Sequence, residues 1–365
     1  MEHPLMYRIA LTLVPHIGPV IARLLLQHLS PEEIFTEKKT LLERIDGVGK
    51  LRADSIRRFK DFARAEAEMA FIEEHRVIPL FLTDAGYPQR LLNCYDAPVL
   101  LYYKGNADLN QSRIIAVVGS RSHTEYGRLV CEKLLDDLQG SGALVVSGLA
   151  YGIDSLVHKR SLKTGLLTVG VLAHGLDKIY PADHFAMAKE MISQGGLLTE
   201  FVTGTQPDRH HFPSRNRIVA GMSDATLVVE TEVKGGSMIT AELANGYYKD
   251  VFAFPGRTID KKSNGCNHLI RTNRAQLITD GKQLLDAMGW APPKQTVKKK
   301  PRELFIELSS EEKIVVELLQ GRGPADIDEI HLRSGLSSSR VAVAVLNLEM
   351  QQVIQALPGK RYQLL

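Results

Sequence analysis

The stretch that decides the fold is Ile114-Ile115-Ala116-Val117-Val118-Gly119-Ser120-Arg121. Five apolar residues lead directly into glycine, serine and arginine, as in a buried strand that ends at an anion-binding turn. Gly119 permits a tight turn, and we expect the following helix to direct N–H groups at an anion. Arg121 adds a guanidinium that can hold a phosphate through two hydrogen bonds. The turn is not Gly-x-Gly-x-x-Gly and lacks an acidic ribose ligand at the usual spacing, so no NAD-type cofactor is predicted.

Similar short β-branched runs flank this strand, from about residue 77 to residue 290. We predict strands at Leu144–Ser147, Leu167–Leu172, Leu197–Thr199, Thr226–Glu230 and Val251–Phe254. Continuous apolar strands interleaved with helical stretches indicate a mostly parallel sheet covered on both faces. The predicted fold is therefore α/β, Rossmann-like and doubly wound, with its site at the carboxyl ends of the strands.

The two ends of the chain do not share this alternation. We divide the chain into a helical domain, a Rossmann-like domain, a linker and a winged helix, at residues 1–68, 69–290, 291–308 and 309–365.

The first 68 residues resemble a SAM or helix-hairpin-helix module. A capping box with proline at the first helical position occupies residues 30–33. Glycine turns at residues 16–20 and 46–50 either present N–H groups to a phosphate or only let two helices approach.

The C-terminal pattern is three helices followed by two short strands. Prolines 292, 293 and 301 and lysines 298–300 precede it, which favours a solvated linker over a nucleic-acid contact. A second capping box lies at residues 309–312. The third helix of a winged helix often reads DNA, but this one carries Arg340 as its cation and also holds Glu349. A protein-binding or structural role is at least as consistent with the pattern.

Composition excludes several classes of protein. The 365 residues contain 45 Lys and Arg against 42 Asp and Glu, so any nucleic-acid surface must be local. Three scattered cysteines predict reduced thiols rather than a disulfide framework or zinc ribbon. No apolar run is long enough for a membrane span and no secretory leader is recognisable, so we expect a cytoplasmic location without membrane contact.

A second strand-end motif lies at residues 147–154, Ser-Gly-Leu-Ala-Tyr-Gly-Ile-Asp. Asp154 and His158 are four residues apart, and the pair either ligates a metal or has a structural role. We favour Asp154 as a helix cap and His158 as a polar packing residue.

Cations and an aromatic side chain are concentrated in residues 206–217, Gln-Pro-Asp-Arg-His-His-Phe-Pro-Ser-Arg-Asn-Arg. Arginines fit phosphates, and Phe212 offers a stacking face for an unpaired base. Adjacent histidines 210 and 211 lack an evident third metal ligand, so no metal is predicted.

A glycine-rich loop, Lys234-Gly235-Gly236-Ser237, leads into another helix and predicts a phosphate cradle. Glu242 in that helix is either a general base or, as we favour, a solvated or paired helix residue.

Taken together, these motifs closely resemble those of the DprA/Smf DNA-processing family. They lie at residues 119–121, 147–154, 175–181, 212–218, 236–241 and 252–256. The resemblance covers about residues 80–285, and the helical and winged-helix flanks also fit the family.

The resemblance implies a protein that is not an enzyme. Such proteins bind incoming single-stranded DNA during natural transformation, protect it, load the RecA recombinase and form homodimers through the Rossmann-like domain. The family's phosphate-binding arginine corresponds to Arg121, its basic residue before Phe-Pro to Arg209, and its stacking aromatic to Phe212. The residues expected to contact DNA are Gly119, Ser120, Arg121, Ser147, Gly148, Arg209, Phe212, Arg215, Asn216, Arg217, Gly235, Gly236, Ser237 and Thr240.

One position departs from the family pattern. Members often carry a basic residue directly after Tyr-Pro, where this chain has Ala182, so one phosphate contact is lost or supplied from elsewhere. Two rival interpretations remain. Residues 234–242 also resemble the loop of nucleotide phosphoribohydrolases, although Lys234 replaces its proline. A passive docking protein with a vestigial DNA site is the third interpretation, supported by Ala182 alone.

Overall fold

The computed structural model describes residues 4–291, 308–357 and 361–364. It forms two compact units, Met1–Pro293 and Lys294–Leu365. The predicted linker at 291–308 lies outside the described residues except for its two terminal positions.

The first unit is built on a nine-stranded sheet, in the order β1-β2-β6-β5-β4-β3-β7-β8-β9. The strands are β1 Ile78–Phe81, β2 Leu100–Gly105, β3 Ile114–Val118, β4 Leu144–Gly148, β5 Thr168–Val171, β6 Gly195–Thr199, β7 Ala225–Val228, β8 Asp250–Ala253 and β9 Gln276–Leu277. Pairings from β6 through to β9 are parallel, whereas β1–β2 and β2–β6 are antiparallel. The predicted mostly parallel α/β sheet is confirmed, with an antiparallel edge that the sequence pattern did not predict.

Helices of the first unit cover both faces of this sheet. They are α1 Pro4–Leu13, α2 Pro19–Leu26, α3 Pro31–Thr36, α4 Lys39–Leu42, α5 Gly49–Arg58, α6 Phe62–His75, α7 Gln89–Leu92, α8 Glu125–Asp137, α9 Ile153–Thr164, α10 Phe185–Ser193, α11 His211–Gly221, α12 Gly236–Gly246, α13 Asn264–Arg271 and α14 Gly281–Ala287. Alternate residues of β3 enter different cores: Ile114 and Ala116 pack on one face, Ile115 and Val117 on the other. This is the doubly wound arrangement expected of a continuous apolar strand.

The position of β3 decides where a ligand can bind. It lies between β4 and β7: the chain adds β4, β5 and β6 on one side of β3 and then returns to add β7 on the other side. Such a switch point opens a crevice at the carboxyl ends of the strands.

The N-terminal helices do not form a separate core. Leu11, Ile34 and Ile56 from these helices share one apolar cluster with Phe81 and Tyr102 from the antiparallel edge of the sheet. The capping box at Ser30–Glu33 is confirmed.

The predicted boundary at residue 68 falls inside α6. There the buried Glu68 carboxylate accepts hydrogen bonds from the backbone and side chain of Thr203. Helix α6 therefore belongs to both the N-terminal helical region and the sheet domain.

The second unit has the helices α15 Ser310–Arg322, α16 Ile327–Ser334 and α17 Ser338–Met350 and the strands β10 Ala325–Asp326, β11 Ile354–Leu357 and β12 Arg361–Leu364. Its strands form a sheet in the order β10-β12-β11 around an aliphatic core. This is the predicted winged helix, including the capping box at Ser309. Pro358 and Gly359, which separate the two predicted terminal strands in the sequence, lie outside the described residues. Of the helices described, none is long and apolar enough to cross a membrane.

Candidate nucleic-acid interface

A cleft of about 930 Å³ opens at the carboxyl ends of β3, β4 and β7. It brings together most of the residues that the sequence singled out. Those that line it are Gly119, Ser120, Arg121, Gly148, Arg209, Phe212, Arg215, Asn216, Gly235, Gly236, Ser237 and Thr240. Motifs spread over more than 120 residues of sequence therefore meet at one edge of the sheet.

Arg121 and Phe212 lie against each other at the mouth of the cleft. The guanidinium carbon of Arg121 is 4.6 Å from the centroid of the Phe212 ring, within range of a cation–π contact. Arg121 is exposed and makes this contact from a loop, whereas Phe212 lies in the first turn of α11. One face of the ring is thus covered by a cation in the unliganded protein.

The floor of the cleft holds a buried arginine beside a buried carboxylate. Arg215 donates from Nη1 to the carbonyl of Val171 at 2.8 Å, and its Nε has no partner among the described residues. Burial lowers the pKa of Arg215 and raises the pKa of Asp154, while the opposite charge of each partner counteracts the shift. A Cβ at Gly148 would overlap both groups, so glycine is needed there for space.

Asp154 is not the predicted helix cap. The N-cap of α9 is Gly152, and the Asp154 carboxylate instead accepts a long hydrogen bond from the N–H of Ala150 at 3.4 Å. Asp154 lies two residues past the N-cap, in the first turn of α9, where its carboxylate interacts with the charge of Arg215.

His158 is a packing residue, as predicted. Its Nδ1 lies 2.7 Å from Thr168 Oγ1 and its Nε2 lies 2.6 Å from the carbonyl oxygen of Gly148. Burial lowers the pKa of His158 to about 4. Both ring nitrogens are used within the fold, and the described residues contain no group of three or more metal-ligating side chains.

The two helix N-termini predicted to bind anions differ. Helix α8 begins only at Glu125, where Thr124 caps it and the buried Glu230 carboxylate accepts from the N–H of Thr124 at 2.9 Å. The prediction of an anion at the helix after Gly119 is therefore wrong, because a carboxylate of the chain already occupies that position. Gly119 serves close packing instead, since a Cβ there would lie 2.5 Å from Ile153 Cγ1.

Helix α12, by contrast, begins at Gly236 with no side-chain cap. The hydroxyl of Ser237 is buried, lines the cleft and has no partner among the described residues. Asn216 ties this helix to α11 by donating to the Gly236 carbonyl at 3.4 Å. Unused N–H groups and a free hydroxyl at a helix start form an anion site.

Two predicted contacts lie outside the cleft. Ser147 donates its hydroxyl to the Val117 carbonyl at 2.6 Å between neighbouring strands. Arg217 is buried in an ion pair with Glu200 and also donates to the Asp96 carbonyl. The structure uses both side chains to hold the sheet and α11, so we reassign them from DNA contact to support of the site.

Among the further side chains that line the cleft, and that the sequence analysis did not select as contacts, are Lys178, Tyr180 and Lys262. Lys262 Nζ lies 2.8 Å from Ser122 Oγ and 3.0 Å from the Glu232 carboxylate. The backbone carbonyl of Lys262, in the 3₁₀ turn Lys261–Ser263, accepts a hydrogen bond from the N–H of Thr231, which holds this turn at the cleft. A lysine within Asp-Lys-Lys-Ser carries no distinguishing sequence signal. Tyr180 and Lys178, however, lie in the motif at 175–181, whose charge and aromatic content could have indicated a contact.

The charge of the cleft is net positive. The lining contains the cations Arg121, Lys178, Arg209, Arg215 and Lys262 and the carboxylates Asp154 and Glu232. The exposed Ala182 contributes no charge, whereas Lys178 and Lys262 line the cleft. Glu242 does not line the cleft: it is exposed on α12 and pairs with Arg274 at 3.6 Å.

Comparison with known proteins agrees with this geometry. Residues 79–289 match the family described as DNA recombination-mediator protein A, and residues 299–360 match the DprA winged helix domain. Protein Smf of Synechocystis sp. is 31% identical, covering 98% of each chain.

Two solved structures resemble the fold. DNA processing protein A from Streptococcus pneumoniae superposes with a TM-score of 0.66 at 32% identity, covering 78% of this chain and 98% of that one. The Helicobacter pylori protein, whose structure concerns a single-stranded DNA binding mode, gives 0.53 at 28% identity, covering 58% and 95%.

Proposed function

The chain belongs to the DprA/Smf family of DNA-processing proteins, and we propose that its cleft binds single-stranded DNA without regard to sequence. The observation that carries the proposal is that cations, an aromatic ring and an unused helix N-terminus meet in one cleft. The single-stranded DNA binding mode of the Helicobacter pylori relative supports the same ligand.

Phosphates are held by two kinds of donor. The N–H groups at the start of α12, which no side chain caps, and the Ser237 hydroxyl, which has no partner among the described residues, bind one phosphate. Arg121, Arg209 and Lys262 neutralise neighbouring phosphates from loops around the cleft. Since these contacts involve only the backbone of the strand, they carry no sequence information.

One base stacks on Phe212. Arg121 covers one face of the ring, so the base takes the opposite face or replaces the guanidinium when Arg121 turns to a phosphate. Every base has a π-face, which makes such stacking tolerant of sequence. A duplex keeps its bases stacked on each other, and for this reason the cleft prefers single strands.

The biological role that follows is protection of incoming single strands and loading of RecA during natural transformation, in the cytoplasm. A homodimer would carry two clefts and gain avidity for one long strand. These finer assignments rest on the resemblance to the family.

We assign no catalytic role to the cleft. The hydrolase interpretation requires Glu242 at the reacting centre, whereas that carboxylate is exposed and paired with Arg274 away from the cleft.

Fluorescence anisotropy with labelled oligo-dT tests the proposal directly. Single-stranded and duplex oligonucleotides are titrated with the wild type and with Arg121→Ala at two salt concentrations. We expect single-strand binding that weakens with salt. The slope of log affinity against log salt concentration should be about −0.7 for each phosphate that the protein neutralises. Salt-independent affinity or a preference for duplex would refute the proposal, and hydrolysis of nucleoside monophosphates would then be assayed.

A further inference from the structure

Next to the cleft, a small recess is bordered by three aromatic rings. Its volume is about 30 Å³, and Tyr151, Tyr180 and Phe212 all line it. Arg121 and Arg215 line both the recess and the cleft, so the two are continuous. The recess holds about one water molecule, too little for a base, so a ligand must lie across its rim.

The two tyrosines are exposed although they line the same recess. Tyr151 and Tyr180 each expose 48% of their surface. The Tyr180 ring lies 6.5 Å from the Phe212 ring at an interplanar angle of 55°. Phe212 and Tyr180 thus offer neighbouring stacking faces, and Tyr151 provides a third ring at the same recess.

Tyr151 is held in place without a ligand. Its hydroxyl donates to the Asp183 carboxylate at 2.9 Å, and its ring meets the edge of the His184 ring at 5.1 Å. His184 is itself fixed, with Nδ1 lying 3.0 Å from the Leu149 carbonyl oxygen. A ring fixed in advance loses little conformational entropy when a flat ligand stacks on it.

The surroundings select a base rather than a phosphate. The exposed Asp183 carboxylate lies directly at Tyr151 and repels phosphate oxygens. The walls of the recess include Leu149, Val171 and Leu172, which are apolar. The cations Arg121 and Arg215 line the side of the recess that is shared with the cleft, whereas the aromatic faces of the two tyrosines and these apolar walls suit the π-face of an unpaired nucleobase.

We propose that Tyr180 and Tyr151 form a second base-stacking subsite, which extends the path of the strand from Phe212 across the recess. The inference rests on the proposed function and names the side of the cleft toward which the strand continues. Binding at this subsite adds stacking and no phosphate contact.

The test uses oligo-dT carrying 2-aminopurine at successive positions, whose fluorescence is quenched when the base stacks. The full-length protein is compared with Tyr151→Ala, Tyr180→Ala and Tyr151→Phe. The matched control is Tyr95→Ala, because Tyr95 is 69% exposed and lines neither the cleft nor the recess.

We expect two groups of quenched positions in the wild type. Tyr151→Ala and Tyr180→Ala abolish one of them and weaken binding at least about 5-fold, the lower end for one stacked base. Tyr151→Phe keeps its ring and retains most of the affinity. In all these variants the slope of log affinity against log salt concentration stays unchanged. The control Tyr95→Ala binds as the wild type does.

The two possible failures are distinguishable. A wild type that does not bind oligo-dT refutes the proposed function. A wild type that binds normally, with quenching and affinity unchanged in both alanine variants, refutes the second subsite and leaves the proposed function intact. Loss of affinity with a reduced salt slope also overturns it, because the tyrosines would then act through phosphate contacts.

Discussion

The cleft of the first unit and the outer face of α17 both belong to types of surface that bind DNA in other proteins. The side chains that the two surfaces expose are nevertheless very different. The cleft combines exposed cations with aromatic rings and unused N–H groups. Helix α17 exposes Val343, Leu346 and Met350, and its Arg340 is paired with Glu311 at 3.4 Å. A winged-helix fold therefore does not by itself provide a surface for phosphates; side chains decide it.

The two regions also differ in what supports them. Beneath the cleft lie Arg215, Asp154 and His158, all buried. In the described part of the second unit, the core behind α17 is aliphatic and Glu312 is its buried charged residue. Buried ionisable groups fix the geometry of a binding site, but they also make the stability of the surrounding fold depend on pH. The first unit should therefore respond to pH more strongly than the core behind α17.

The largest expected effect is acid destabilisation of the first unit through His158. Its folded pKa of about 4 lies below the ordinary value of 6.5, so the unfolded state binds the extra proton. Stability from this group is complete above pH 6.5 and is lost as pH falls toward 4, by at most about 3 kcal/mol. Hydrogen exchange of the full chain should show the loss around β4 and α9 and not in α17.

The matched variant is His158→Asn, which cannot titrate. Burial raises the pKa values of Asp154 and Glu200, so these two carboxyls stabilise the fold as the pH falls, opposite to the effect of His158. Wild type and variant are therefore compared at each pH, where this contribution is the same in both. Equal slopes of stability against pH in the two proteins would contradict the role of His158. His331→Gln, an exposed position of α16, should change nothing.

Removing Arg121 should reduce single-strand affinity more than any change on α17. A hydrogen-bonded charge contact contributes about 1.5–3 kcal/mol, so Arg121→Ala should weaken oligo-dT binding roughly 10- to 150-fold and lower the salt dependence. Arg340→Ala is the matched control and should change affinity less than about 2-fold. An equal loss in both variants would remove the distinction between the two surfaces.

Removing Phe212 separates stacking from charge. Phe212→Ala should cost about 1–3 kcal/mol of binding free energy, since one base loses its platform. The slope of log affinity against log salt should stay nearly constant, because Arg121 remains available to the phosphate. A changed slope would mean that the contact between Phe212 and Arg121 positions the cation instead.

The smallest effect concerns the Ser237 hydroxyl. Ser237→Ala should weaken oligo-dT binding by about 0.5–1.5 kcal/mol, the value of one hydrogen bond. The free energy of unfolding should stay level or rise, because the hydroxyl has no partner among the described residues. Ser161→Ala removes another buried, unpartnered hydroxyl away from the cleft and should leave affinity unchanged. A parallel loss in both variants would point to a general effect on the fold.

The sequence predicted the central strands well because each is a continuous apolar run between turn residues; β3 begins and ends as expected. It missed β2, where Tyr-Tyr-Lys-Gly follows two leucines and the strand pairs antiparallel with β6. Edge pairing of this kind depends on distant residues and leaves little local pattern.

For the site, local composition predicted which segments converge but not which side chains face the cleft. Arg217 pairs with Glu200, seventeen residues away, and Glu230 occupies the start of α8 from the end of another strand. Both are long-range pairings that no spacing rule contains. The cap at Thr124 was not predicted but could have been, since threonine followed by glutamate is a usual helix start.

The shared core of the N-terminal helices and the antiparallel edge has a consequence for synthesis on the ribosome. The helices emerge first, yet Leu11 and Ile34 complete their packing only with Tyr102 of β2, and β2 is in turn secured by β6 around residue 198. The chain must therefore emerge from the ribosome as far as β6 before these helices can reach their final packing. Until then the apolar faces of α1 and α3 are available to chaperones, and translation pauses before β6 should prolong that exposure.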